Sequence, residues 1–189
     1  VAYDMPGTGE APVVGSPDAE RMYDPIFEHL ASRSDVNASR IALVGRSFGG
    51  YWATKVAHTH RRWLRAAVNW GGSVHYAFEP DFVRQSRNAK SYLFELLETR
   101  AHAFGLRTAE EYIEAAPRFS LLTQGILERD CAPLLVVNGK DDQQVPIDDL
   151  YILLEHGRPK QARVFPGGHL GPVPEVDALV RDWVQSMLA

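Results

Sequence analysis

The chain has 189 residues, 45% of them hydrophobic, and a formal net charge of −4. It can therefore bury a core of its own, and its scattered charges form no basic stripe that would make nucleic acid a partner. Its apolar runs, such as Ala132 to Val137, are far shorter than the roughly 20 residues that cross a bilayer, and no secretory signal opens it. The single cysteine, Cys131, rules out an intrachain disulfide framework and a cysteine zinc site, which fits a reducing, cytoplasmic setting.

Val1-Ala2-Tyr3-Asp4 reads as the tail of a strand entering the glycine-rich turn Met5-Pro6-Gly7-Thr8-Gly9, so earlier strands are expected before Val1. A helix is expected from Pro17 to about Ser32, with Met22, Ile26, Phe27 and Leu30 at helical spacing. Arg40 to Gly45 is a short apolar run of the kind buried on both faces of a parallel sheet; a helix follows over 50–57 and a second buried strand over 66–70. From His75 to about Asp130 the alternation breaks into a mainly helical block, with helices expected over 82–100, 108–114 and 121–128. Strand 133–139, helix 147–154, strand 162–165 and an amphipathic helix over 175–188 complete the chain. Alternating strands and helices imply a mostly parallel open α/β sheet with helices on both faces, and in such sheets chemistry gathers at the carboxyl ends of the strands.

Three segments carry chemistry, and each follows an expected strand. Gly45-Arg46-Ser47-Phe48-Gly49 is a Gly-x-Ser-x-Gly turn between a strand and a helix. In that context Ser47 sits on a strained turn, and the Phe48 N–H at the helix N-terminus can face an oxyanion. A serine hydroxyl needs a base, and the base needs a carboxylate to fix its tautomer. Of the seven histidines, His169 stands in the loop Pro166-Gly167-Gly168-His169-Leu170-Gly171, directly after the last strand. The acid lies in Gly139-Lys140-Asp141-Asp142-Gln143-Gln144-Val145-Pro146; Asp142, midway between Gly139 and Val145, is preferred, with Asp141 as the alternative. The competing reading of Ser47 is a helix cap after a glycine turn, and that of either aspartate an Asx turn.

The order Ser47, Asp142, His169 resembles that of the α/β-hydrolase family over nearly the whole chain. Within it, Asp4-Met5-Pro6-Gly7-Thr8-Gly9-Glu10 and the helical block resemble the FrsA-like esterases and the related carbon–carbon bond hydrolases of the dihydroxypseudooxynicotine-hydrolase type. Some FrsA-like members lack the serine that this chain keeps. The resemblance implies a hydrolase core over 1–74 and 131–189, and a helical lid over 75–130. It also implies a second oxyanion donor from a loop after an earlier strand, and the chain holds no such segment.

Phe78, Phe82, Tyr92, Phe94, Phe104, Tyr112 and Phe119 make the lid aromatic, which points to a small apolar or aromatic substrate, although such rings also serve to pack a lid onto a sheet. Trp70, His75 and Glu10 are the candidate substrate-binding residues. Gly7-x-Gly9 lacks the rest of a dinucleotide fingerprint, and no cofactor or metal is expected. The partner is a small-molecule substrate, with a homodimer as the assembly open to it. The reading is thus a serine esterase or carbon–carbon hydrolase, against a non-catalytic binding protein on the same scaffold or an acyltransferase.

Overall fold

Short runs of Ala, Val and Leu can be covered on both faces only inside a sheet flanked by helices. The computed structural model describes residues 1–87, 95–156 and 160–189. In it, four strands form one parallel sheet in the order β1-β2-β3-β4: β1 Ala42–Arg46, β2 Ala66–Trp70, β3 Leu134–Gly139 and β4 Lys160–Phe165. Only the central strands β2 and β3 are buried throughout; the outer β4 and β1, the latter expected to be covered on both faces, leave Val164 and Val44 exposed. The register sets Arg46 beside Trp70, Trp70 beside Val137, and Gly139 beside Phe165, so the segments leaving the strands emerge along one edge.

Side chains of β2 and β3 alternate between two apolar layers, as the two-residue period of a strand requires. Ala67, Leu134 and Val136 join one layer with Tyr51, Trp52 and Val56 of α2 (Phe48–Thr59) and with Leu150 and Leu153 of α6 (Asp148–Glu155). Val68, Trp70, Leu135 and Val137 face the opposite way, onto Val176 and Val180 of α7 (Glu175–Leu188). Helices therefore cover both faces. The first layer also takes in α1 (Tyr23–Ser32), α3 (Pro80–Ser86), α4 (Leu96–Ala103) and α5 (Ala109–Ala115), the last capped by the Thr108 hydroxyl, which accepts the Glu111 N–H at 3.1 Å. Among the described residues no helix is long and apolar enough to cross a membrane.

Three expectations need correction. Val1–Asp4 form no strand; Tyr3 instead packs edge-on against Tyr23, with ring centroids 5.4 Å apart. The helix expected from Pro17 starts as a 3-10 turn, Ala19–Met22, before α1 takes over. No helix spans 121–128: Gly125 has φ +65°, and the segment is a run of turns whose Leu121 and Leu127 are buried as anchors. Apolar spacing there reports two anchoring side chains, not a helical face. The helix expected over 82–100 is represented by α3 and α4; its centre, with Tyr92 and Phe94, lies outside the described residues.

One buried cation ties the first layer together. The Lys55 side chain on α2 is 0% exposed and stands 3.1 Å from the Glu20 carboxylate. Its ammonium also donates to the Pro17 carbonyl and to Gln124 Oε1, so α2, the 3-10 turn and the 121–125 turns share one ion. Burial pushes the Lys55 pKa down and Glu20 pulls it back up. Removing one member of a buried pair strands the other. Lys55→Met should therefore cost about 3–5 kcal/mol in urea unfolding. The double replacement Lys55→Met with Glu20→Met should cost less than the single one.

Candidate active site

The turn after β1 is held where L-residues rarely go. Ser47 has φ 52° and ψ −127°, a conformation tolerated only when its surroundings enforce it. Its N–H donates to Trp70 O at 2.7 Å and its carbonyl accepts from Gly50 N at 2.8 Å, fixing the residue between the end of β2 and the first turn of α2. A Cβ on Gly45 would lie 2.0 Å from the Gly49 carbonyl oxygen, so that glycine is a spatial necessity. Gly49 is not: a Cβ there meets no described atom within 4 Å. A second close approach is between Gly50 and Gly72, where a Cβ on Gly72 would fall 2.4 Å from Gly50 C, and this lets α2 touch the turn after β2. The N–H of Phe48, at the first position of α2, meets no acceptor among the described residues, as expected of a helix N-terminus.

His169, in the loop after β4, lies between the other two residues. Its Nε2 is 2.9 Å from Ser47 Oγ and its Nδ1 is 2.8 Å from Asp142 Oδ2. A buried carboxylate accepts, so the Asp142 contact places a proton on Nδ1 and leaves Nε2 able to accept from the serine hydroxyl. The Asp142 side chain is 0% exposed and that of His169 16%. Burial pushes the Asp142 pKa up, but hydrogen bonds from His169, Asn138 Nδ2 and the Gln144 N–H outweigh it and hold the carboxyl below its ordinary value. Asp141 is exposed, and its backbone N–H donates to Gly167 O at 2.9 Å and ties the acid loop to the histidine loop.

Asn138 has a place in this site that the sequence reading did not give it. Its Nδ2 donates to Asp142 Oδ2 at 2.8 Å, while its Oδ1 accepts from Leu170 N at 3.1 Å and Gly139 N at 2.9 Å. One amide thus sets the carboxylate and the residue after His169. The available signal was an amide closing an apolar strand just before an acid loop, a poor position for a polar group without a fixed partner.

The other candidates sit around this group in different ways. Trp70 is buried beneath the histidine loop: its indole N–H donates to Leu170 O at 2.7 Å, and the Arg46 guanidinium lies 4.5 Å above its ring. His75 is half-buried, with Nδ1 2.8 Å from Ser120 Oγ. Glu10 is exposed, and its backbone N–H donates to Asp4 Oδ2. Phe78, Phe104, Tyr112 and Phe119 are buried and pack on one another, Phe104 and Phe119 with centroids 4.0 Å apart, and Phe104 meets the Phe48 ring at 5.6 Å. Among the described residues no cluster of His, Cys, Asp and Glu is placed to hold a metal ion.

A model of the FrsA-like esterases, described as "Esterase FrsA-like", matches residues 1–166, a span that includes Ser47 and Asp142 and stops short of His169. The 2,6-dihydropseudooxynicotine hydrolase of Paenarthrobacter nicotinovorans is 27% identical over 182 residues, covering 93% of this chain and 42% of that protein. Among solved structures, AbyA5 superposes with a TM-score of 0.81 at 22% identity, over 97% of this chain and 53% of that one. The crystal structure of the 2,6-dihydroxy-pseudo-oxynicotine hydrolase gives 0.77 at 22% identity, over 98% and 51%. The chain spans about half the length of the relatives it matches.

Two outcomes test the site's electrostatics. Asn138→Ala removes a hydrogen bond that lowers the Asp142 pKa, so the carboxyl should titrate at a higher pH in an NMR titration while the far-UV circular dichroism stays unchanged. Because the folded Asp142 pKa lies below the ordinary 3.8, its stabilisation is complete above that value and is lost as pH falls through and beneath it. The stability gap between wild type and Asp142→Asn in urea titrations should therefore be full at neutral pH and shrink as the solution is acidified below about pH 4.

Proposed function

The chain belongs to the FrsA-like esterase family, and from that footing we propose that it is a serine hydrolase cleaving an ester, or a carbon–carbon bond activated by a neighbouring ketone, in a small apolar or aromatic substrate. The observation that carries this reading is the unbroken hydrogen-bond line from Ser47 Oγ through His169 to Asp142. In the proposed reaction Ser47 Oγ attacks the substrate carbonyl carbon as His169 Nε2 takes its proton. Asp142 holds the imidazole in the required tautomer and stabilises the imidazolium that forms. The Phe48 N–H faces the developing oxyanion, where a preorganised donor contributes more than it would in water. His169 then returns the proton to the leaving group, and water, deprotonated by the same imidazole, resolves the acyl-enzyme.

Residues 75–130 are assigned to a lid. Their buried rings reach the Phe48 ring beside the nucleophile, which supports an apolar cover over the reacting carbonyl. Trp70 supports the reaction from below by holding Leu170, whereas His75, in the turn after β2, is the candidate to meet substrate. Two of the matched proteins are pseudooxynicotine hydrolases, and a ketone-activated carbon–carbon bond as a target of this chain is part of the proposal.

Ser47→Ala should remove turnover of p-nitrophenyl esters by about a thousandfold or more with the thermal midpoint retained. A fluorophosphonate should label wild type and not the variant. Equal ester turnover by the two proteins would refute the assignment of the nucleophile.

A further inference from the structure

Asp149, in the first turn of α6, takes no part in the proposed chemistry, yet it is 1% exposed. Its carboxylate accepts backbone N–H groups from four successive residues of the turn after β2. Oδ2 takes Val74 at 2.8 Å and Ala77 at 3.4 Å, and Oδ1 takes His75 at 3.0 Å and Tyr76 at 2.6 Å. Four donors on two oxygens fill the acceptor sites a carboxylate offers. Burial pushes its carboxyl up to about 6, with the four N–H donors pulling the other way.

The turn so held connects to the site on both sides. At its near end is Gly71, where a Cβ would lie 3.2 Å from His169 Cε1. At its far end Val74 O accepts from Leu121 N, and the His75 ring meets Ser120 Oγ, which itself accepts from Thr123 N at 3.1 Å. α6 begins directly after the loop that carries Asp142. One carboxylate thus joins the acid loop's helix to the turn that opens the insert.

We propose that Asp149 is a positioning residue, which sets the Val74–Ala77 turn, and His75 within it, relative to Asp142 and His169, and so governs substrate binding more than the reactivity of Ser47. The proposal rests on the hydrolase reading. An amide cannot replace this group: Asn offers one accepting oxygen and points an NH2 at donors, leaving buried N–H groups unpaired.

The test compares wild type, Asp149→Asn and Ser120→Ala at about pH 8, where an ordinary or moderately raised carboxyl is ionised. Each protein is assayed with p-nitrophenyl acetate and with the bulkier p-nitrophenyl phenylacetate, for its rate of fluorophosphonate labelling, and for hydrogen exchange of the amides of residues 74–77. In Asp149→Asn, KM for the phenylacetate should rise about tenfold or more, with kcat and labelling held within about threefold, and the four amides should exchange at least about tenfold faster. Ser120→Ala should move KM in the same direction by less, and it carries the comparison if Asp149→Asn does not fold. Unchanged KM in a folded variant, unchanged exchange at 74–77, or equal loss of labelling and turnover would each overturn the proposal. Wild type inert to both esters and to the fluorophosphonate would overturn the hydrolase reading and, with it, a role for Asp149 in substrate binding. Exchange at 74–77 would still decide whether the carboxylate holds the turn.

Discussion

Parallel pairing in near register is the constraint on which the rest of this structure depends. Because all four strands run the same way and their last residues come level, the segments that leave them must emerge along one edge of the sheet. Ser47 follows β1, Asp142 follows β3 and His169 follows β4, so residues separated by up to 122 positions come within hydrogen-bond distance. No local preference of the chain could bring them there. The crossovers that make parallel pairing possible bury the two central strands on both faces, and this in turn demands the apolar runs seen in β2 and β3.

Placed on that edge, the site is held by buried polar side chains that reach from one strand end to the next. Asn69, at 1% exposure, accepts from Gly72 N at 2.6 Å and donates to Thr54 Oγ1 at 2.8 Å, binding the end of β2 to α2. Asn138 does the same between β3, the acid loop and the histidine loop. Asp149 gathers the turn after β2, and Lys55 gathers the underside of α2. Each would be costly to bury without its partners, and each fully partnered group therefore permits one geometry and penalises the alternatives. The strain at Ser47 persists for the same reason: the neighbouring backbone and the glycine contacts leave the residue no other place to go.

Much of the fold was legible because its signals are local. Buried strands announce themselves by apolar runs of fixed length, and the amphipathic helix over 175–188 by its period. The Gly-x-Ser-x-Gly turn carries its own geometry in five residues, although only Gly45 of its two glycines is required by a close contact among the described residues. Where the reading failed, the signal was ambiguous in kind. Leu121 and Leu127 gave the spacing of a helix but serve as separate anchors in a run of turns. The aromatic residues of the insert allowed two readings, pocket lining and lid packing, and Phe78, Phe104, Tyr112 and Phe119 pack on one another.

By itself, the sequence determined the α/β class, the strand-ends that bear Ser47, Asp142 and His169, and their chain order, because periodicity, turn chemistry and motif spacing are properties of neighbours. It left the choice between Asp141 and Asp142 to a spacing rule. In the tertiary structure it is Asp142 that lies 2.8 Å from His169, while the Asp141 N–H donates to the histidine loop's Gly167 carbonyl. Tertiary structure also gave Trp70, Asn138 and Asp149 their partners. The physical reason is common to all of them: a polar atom's role is fixed by what faces it, and here the facing group comes from a strand, loop or turn remote in sequence.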